Sequence, residues 1–146
     1  MKHNMEHMSS NESILVMSIS MLLAGLFSGM NSFANNIHDI RFNINDIYMS
    51  FMMIGLMFLF MSIYYQSSKL CIFGILVSSI TFVFIRNQYF VNESNFIQSM
   101  IPHHSMAVMM SQKLLDKKID LQPQTKSLVD NIISSQKKEI EIMKKI

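Results

Sequence analysis

The chain has 146 residues, half of them hydrophobic and only 15% charged, with a formal net charge of +2. That length holds one domain, or a membrane anchor with one very small domain, and so small and dispersed a charge does not argue for a nucleic-acid binder. The one cysteine, Cys71, sits inside a hydrophobic run, which excludes an internal disulfide and a cysteine-based zinc site.

Residues 1–13 form a polar tail carrying His3, Met5, His7 and Met8. The two histidines are four apart and would share a helical face, but short polar termini are usually solvated. Metal capture by the tail is left open.

Three hydrophobic runs follow, and together they predict a membrane domain over 14–86 with spans at about 14–34, 47–65 and 70–85. The first is diluted by Ser18, Ser20, Gly25, Ser28 and Gly29, and Ser-Phe-Ala at its end imitates a signal cleavage site. It is long for a signal core, and two further runs follow it, so it is read as retained. The second run is the cleanest, near the roughly 20 residues that a crossing requires. The third is shorter and would rely on Lys69 and Arg86 reaching back to the interface. Gly25 and Gly29 have the spacing of a close helix contact. Met49, Met53, Met57 and Met61 share a face, which suits ordinary packing better than metal conduction because no ionisable residue lies mid-span.

An odd number of spans puts the termini on opposite sides. Lys2 and Lys69 favour a cytoplasmic amino terminus and second loop, with the first loop (35–46) and the carboxyl-terminal part outside. Arg86 and the distal lysines point the other way, but most lie well beyond the membrane end.

Residues 87–146 predict a soluble helical hairpin. Asn92 or Ser94 caps a helix reaching about Lys117, with Glu93 near its positive end. Pro102 removes a backbone hydrogen bond inside it, which predicts a kink or a fresh start there. Pro123 suits the first turn of the second helix. Along the first helix Phe96, Met100, His103, Ala107, Met110 and Leu114 recur in steps of four and three, as at a packing seam. Along the second, Ile132, Gln136, Glu139 and Met143 share a face, so Gln136 and Glu139 border or interrupt an apolar stripe. A carboxylate there is costly unless paired, and His103 or His104 can be its partner. Spacing alone leaves three readings open: a metal held between the helices, a buried His–Glu hydrogen bond, or a solvated edge.

The stretch M-I-P-H-H-S-M-A-V-M-M, followed after a link by I-I-S-S-Q-K-K-E-I-E-I-M, resembles the domain of unknown function 305 family. The match falls on Met100, Ile101, Pro102, His103, His104, Ala107 and Met110, and on Gln136, Glu139, Ile140 and Met143. The preceding spans look like a membrane-anchored subgroup. The resemblance implies ferritin-like helical bundles, with some exported members associated with copper binding and tolerance. Members with two copies complete a four-helix bundle, so one copy implies pairing with a second chain. Ser105 falls at a variable position.

The expectation is an all-α protein of three transmembrane helices followed by a soluble two-helix hairpin, half of a ferritin-like bundle. It is expected in the lipid bilayer of a bacterial plasma membrane, hairpin outside, as a homodimer. Copper is the expected ligand, buffered or handed over rather than used in catalysis. The thioethers of Met100, Met110 and Met143 suit Cu(I), and the imidazoles of His103 and His104 suit either oxidation state. Glu139 and Gln136 act as ligands or orient an imidazole. The alternative is a structural or oligomerisation element without metal. A ferritin-like di-metal oxidase is disfavoured, because the soluble part has only Glu93, Glu139 and Glu141 and no Glu-x-x-His.

Overall fold

A computed structural model describes residues 10–27, 29–117 and 119–146. Among these, five α-helices carry the chain and no strand occurs: α1 (Ser10–Phe27), α2 (Ile44–Tyr64), α3 (Ser68–Asn87), α4 (Glu93–Asp116) and α5 (Pro123–Met143). Two short 3-10 turns, Met30–Phe33 and Ile37–Asp39, occupy the connection between α1 and α2. The chain divides into two compact units, one holding the helices through Leu26 and Ile47–Asn87, the other Phe27–Asp46 and Gln88–Ile146.

In the first unit, Met57, Phe58 and Met61 form the core, with Ile14, Met21, Ile54 and Leu70 packed against it. Met57 and Met61 are thus packing residues, while Met49 at the other end of their stripe is half exposed. Small residues let the helices approach closely. A Cβ on Gly74 would lie 2.8 Å from the Leu59 nitrogen and 2.9 Å from the Gly55 oxygen, and one on Gly25 would lie 2.7 Å from the Ser50 Cα. Phe58 stacks edge-on against Phe73 with centroids 5.0 Å apart.

The expected first span at 14–34 is too long. Helix α1 stops at Phe27, and only Ser13–Leu26 forms a continuous apolar helix, about 21 Å at 1.5 Å per residue. Gly29 lies outside it against Asp46, so the Gly25–Gly29 spacing is no helix-packing pair. Two helices, α2 and α3, are long and apolar enough to cross a membrane by length and composition, rather than three. The third run gains residues at both ends: α3 has 20 residues, about 30 Å, with Lys69 and Arg86 inside its first and last turns, so their side chains still reach toward an interface.

In the second unit, α4 and α5 form the expected hairpin. The Asn92 side chain accepts from the Asn95 N–H at 2.8 Å, capping α4, and Pro123 opens α5. Pro102 is fully buried inside α4, which continues through it as one helix of 24 residues. The core here is Ile101, Val108 and Ile140, with Ile97 and Met143 against it.

The connection between α1 and α2 belongs to this unit. Its residues 29–43 form a strap closed by side-chain amides. The Asn31 side chain donates to the Arg41 carbonyl at 2.9 Å and accepts from the Arg41 N–H at 3.0 Å. Asn43 donates to the Asp46 carboxylate at 2.9 Å. The result is a compact loop in which several backbone groups are met by its own side chains.

Candidate functional site

The face of α4 that packs inward is one residue away from the expected seam. Ile97, Ile101, His104, Val108 and Ser111 repeat in steps of four and three, and four of the five are buried. Phe96 (53% exposed), His103 and Met110 (58% exposed) point outward instead. Both stripes satisfy the same period, and a shift of one residue rotates the helix by about 100°. Small Ser99, Ser105 and Ser111 on the buried side allow the close approach that Phe96 and Met110 would block. On α5 the inward stripe is Val129, Ile133, Gln136, Ile140 and Met143, which leaves Glu139 at its edge with half its side chain exposed.

His104 and Glu139 meet at that edge. Nδ1 of His104 lies 2.9 Å from Oε2 of Glu139, yet the approach lacks the alignment that a hydrogen bond needs, and Nδ1 is otherwise buried without a partner. Burial holds the His104 imidazole below its ordinary pKa; the Glu139 carboxylate opposes this and neighbouring His103 adds to it. His104 is therefore mainly neutral at pH 7, the form that binds metals. Gln136 Nε2 reaches the same Oε2 at 3.5 Å.

Of the seven expected site residues, the fold brings together His104, Glu139 and Gln136. His103 stands aside, its ring centroid 5.9 Å from that of His104. Met110 is exposed and away from the pair. Met143 packs on the hairpin core, and Met100 is half-buried. Met100 lies one turn before His104 and Met143 one turn after Glu139; because the helices are antiparallel, both turns lead toward the same end. Among the described residues, no three His, Cys, Asp or Glu side chains gather as a metal-holding group. His3, His7, Met5 and Met8 lie outside the described residues.

One cluster beside the site has no local signal in the sequence. Ser105 donates to Asp39 Oδ2 at 2.6 Å and accepts the Asn35 N–H at 2.8 Å, while the Lys144 ammonium contacts Oδ1 of the same carboxylate. Asp39 is 5% exposed and so ties the strap to α4 and α5 at once. Burial alone would raise its pKa, but hydrogen bonds from Lys144 and Ser105 and the charges of Lys144 and Arg41 bring it below the usual carboxylate value.

The sequence pattern of the family described as Domain of unknown function (DUF305) matches residues 88–146, the whole hairpin. The chain is also 38% identical over 142 residues to "Uncharacterized protein L153" of Acanthamoeba polyphaga mimivirus, a similarity covering 94% of this chain and 92% of that protein. The chain belongs to the DUF305 family. The DUF305 pattern begins at Gln88, directly after α3 ends, whereas the likeness to the viral protein extends over the preceding helices as well. No solved structure matches. A viral relative lends no support to a bacterial plasma membrane.

Proposed function

We propose that this DUF305 chain is a membrane-anchored metal-binding protein whose hairpin holds a soft metal, copper foremost, for buffering or handover. The observation that carries the reading is the buried His104 Nδ1, 2.9 Å from a carboxylate oxygen without an aligned hydrogen bond. Two donors each about 2.0–2.2 Å from one metal, at about 90–110° to each other, stand roughly 2.8–3.5 Å apart. The separation thus suits neighbouring ligands. Met100 and Met143, one turn along, supply thioethers, and a site with one imidazole, one carboxylate and two thioethers favours Cu(I) over magnesium or calcium. Gln136 orients the Glu139 carboxylate. Bound there, copper would be held and exchanged at the half-exposed Glu139 edge.

Anchoring is supported by the surface of α3. Its most apolar window has a mean hydropathy of 2.1 and only 11% of it is buried, whereas a core helix of a soluble protein would be mostly covered. The strap and the hairpin fold as one unit, which agrees with both lying on one side of a membrane crossed by α2 and α3. A third crossing by α1 would need its 18 residues to span a locally thinned bilayer.

The deciding experiment is copper binding, in both oxidation states, by the full-length protein in detergent, with zinc and iron as competitors. His104→Ala should abolish tight binding and His103→Ala should weaken it less. Unchanged stoichiometry in His104→Ala removes the site. A second reading, a hairpin that dimerises without metal, draws on the outward stripe of Phe96, His103 and Met110. It predicts that Phe96→Ser with Met110→Ser dissociates a dimer while His104→Ala changes nothing.

A further inference from the structure

Three segments distant in sequence converge at one end of the hairpin unit. A cleft of about 440 Å³ is lined by Arg41 of the strap, Glu93 and Ile97 at the start of α4, and Met143, Lys144 and Ile146 at the end of the chain. Around this end the surface is apolar and aromatic beyond the needs of folding: Phe42 is 62% exposed, Phe90 74% and Ile146 78%, with Tyr89 and Ile40 each about half exposed. Arg41 and Lys145 supply positive charge among them, while Lys144 is paired with Asp39 and Glu93 places one carboxylate in the cleft.

The backbone presents these groups in a fixed arrangement rather than by fraying. Gln88 and Phe90 adopt left-handed conformations, φ 49° and 62°, reversing the chain between α3 and α4. An aromatic residue is uncommon there. Here the turn is fixed by the Val91 N–H donating to the Gln88 carbonyl at 3.1 Å and by the Asn95 side chain donating to the Phe90 carbonyl at 3.2 Å. The Arg41 guanidinium holds the strap's backbone by donating to the His38 and Ile40 carbonyls, each at 2.8 Å. Phe42 lies two residues before α2 and Tyr89 two residues after α3. At no more than about 3.5 Å per residue, neither can be far from the helix end it adjoins. The two helix ends are the same end of an antiparallel pair joined by a short link, so along the chain Phe42 and Tyr89 adjoin the same end of the candidate crossings.

We infer that this end of the hairpin unit is a lipid-docking surface: Phe42, Tyr89, Phe90 and Ile146 seat in the boundary between headgroups and acyl chains, and Arg41 and Lys145 engage anionic headgroups. Aromatic rings with one polar edge and basic side chains with long apolar stems are the groups that partition to that layer. Basic residues near a surface carrying anionic lipid add attraction that falls away within a Debye length. The inference rests on α2 and α3 crossing the membrane, and it makes the strap a collar on the lipid surface rather than a passive link.

The test uses the full-length protein in nanodiscs of phosphatidylcholine, with and without phosphatidylglycerol. On a Cys71→Ser background, Phe42→Cys, Phe90→Cys, Leu128→Cys and Phe60→Cys each carry an environment-sensitive fluorophore. Lipids with a shallow spin label should quench most of the emission at 42 and 90 and little at 128, which lies on the exposed face of α5. Arg41→Gln with Lys145→Gln should reduce the extra quenching that phosphatidylglycerol gives. If 60 is quenched by lipid while 42 and 90 respond only to an aqueous quencher, as 128 does, the helices cross and the docking surface is wrong. Shielding of 42 and 90 from both quenchers, through contact with another protein chain, would overturn the docking surface equally. If 60 is not quenched either, the crossing itself is wrong and the inference falls with it.

Discussion

Ser105 of α4 donates a 2.6 Å hydrogen bond to Asp39 of the strap, 66 residues away in the chain. The bond turns the first connection into part of the hairpin unit, next to the His–His pair. Ser105→Ala would leave a buried carboxylate oxygen and the Asn35 N–H short of a partner, at about 1–3 kcal/mol. Asp39→Ala additionally strands the partly buried Lys144 ammonium and should cost about 3 kcal/mol or more. Thermal unfolding of the full-length protein in detergent reads both, and a Ser105→Ala protein as stable as the native one would show the bond to be incidental.

Acid should loosen the strap through Asp39. Its folded pKa lies below the ordinary value, so between the two values the unfolded chain binds more protons than the folded one. The stabilisation is therefore complete above the unfolded value of about 3.9 and is lost as pH falls through the folded value. Denaturant midpoints followed from about pH 6 to about pH 3 should drop in the native protein and drop less in Asp39→Asn. Equal slopes would place the acid sensitivity elsewhere.

His104 should titrate below the usual histidine value, since burial disfavours its charged form more than Glu139 favours it. Glu139→Gln removes the opposing charge and should move the midpoint further down, as read by the imidazole carbon resonances. An upward shift would mean that the carboxylate is not beside the ring in solution.

The two thioethers can be separated from packing by shape-conserving changes. Met143→Leu keeps the apolar contact with the hairpin core and should cost less than about 1.5 kcal/mol in stability. If Met143 and Met100 are ligands, each leucine variant should weaken Cu(I) by about ten-fold or more while leaving Zn(II) nearly unchanged. Equal affinities for both metals in native and variant chains would remove sulfur from the ligand set.

Helix approach in the first unit makes a separate prediction. Gly74→Ala would press a methyl against backbone atoms of α2 at under 3 Å, and backbone cannot swing aside as a side-chain tip can. A loss of about 1–3 kcal/mol is expected in thermal unfolding.

Much of this was written locally. The hydrophobic lengths of α2 and α3, the Asn92 cap, Pro123 in the first turn of α5 and the hairpin itself follow from residues within a few positions of one another, as helix signals do. The end of α1 was harder: apolar residues continue to Ala34, but the Asn31–Arg41 pairing draws 29–34 out of the helix and into the strap. The heptad steps of α4 were legible too, but not their phase. Stripes through His103 and His104 differ by one residue, and period alone does not say which faces the partner. Tertiary packing chose the stripe of Ile97, Ile101, Val108 and Ser111, turned His103 outward and brought His104 to Glu139. Asp39 was legible only as one charge in a loop. Its junction with Ser105 and Lys144 is a contact between distant segments, formed because burying a carboxylate requires partners, and no local pattern encodes where a folded chain will supply them.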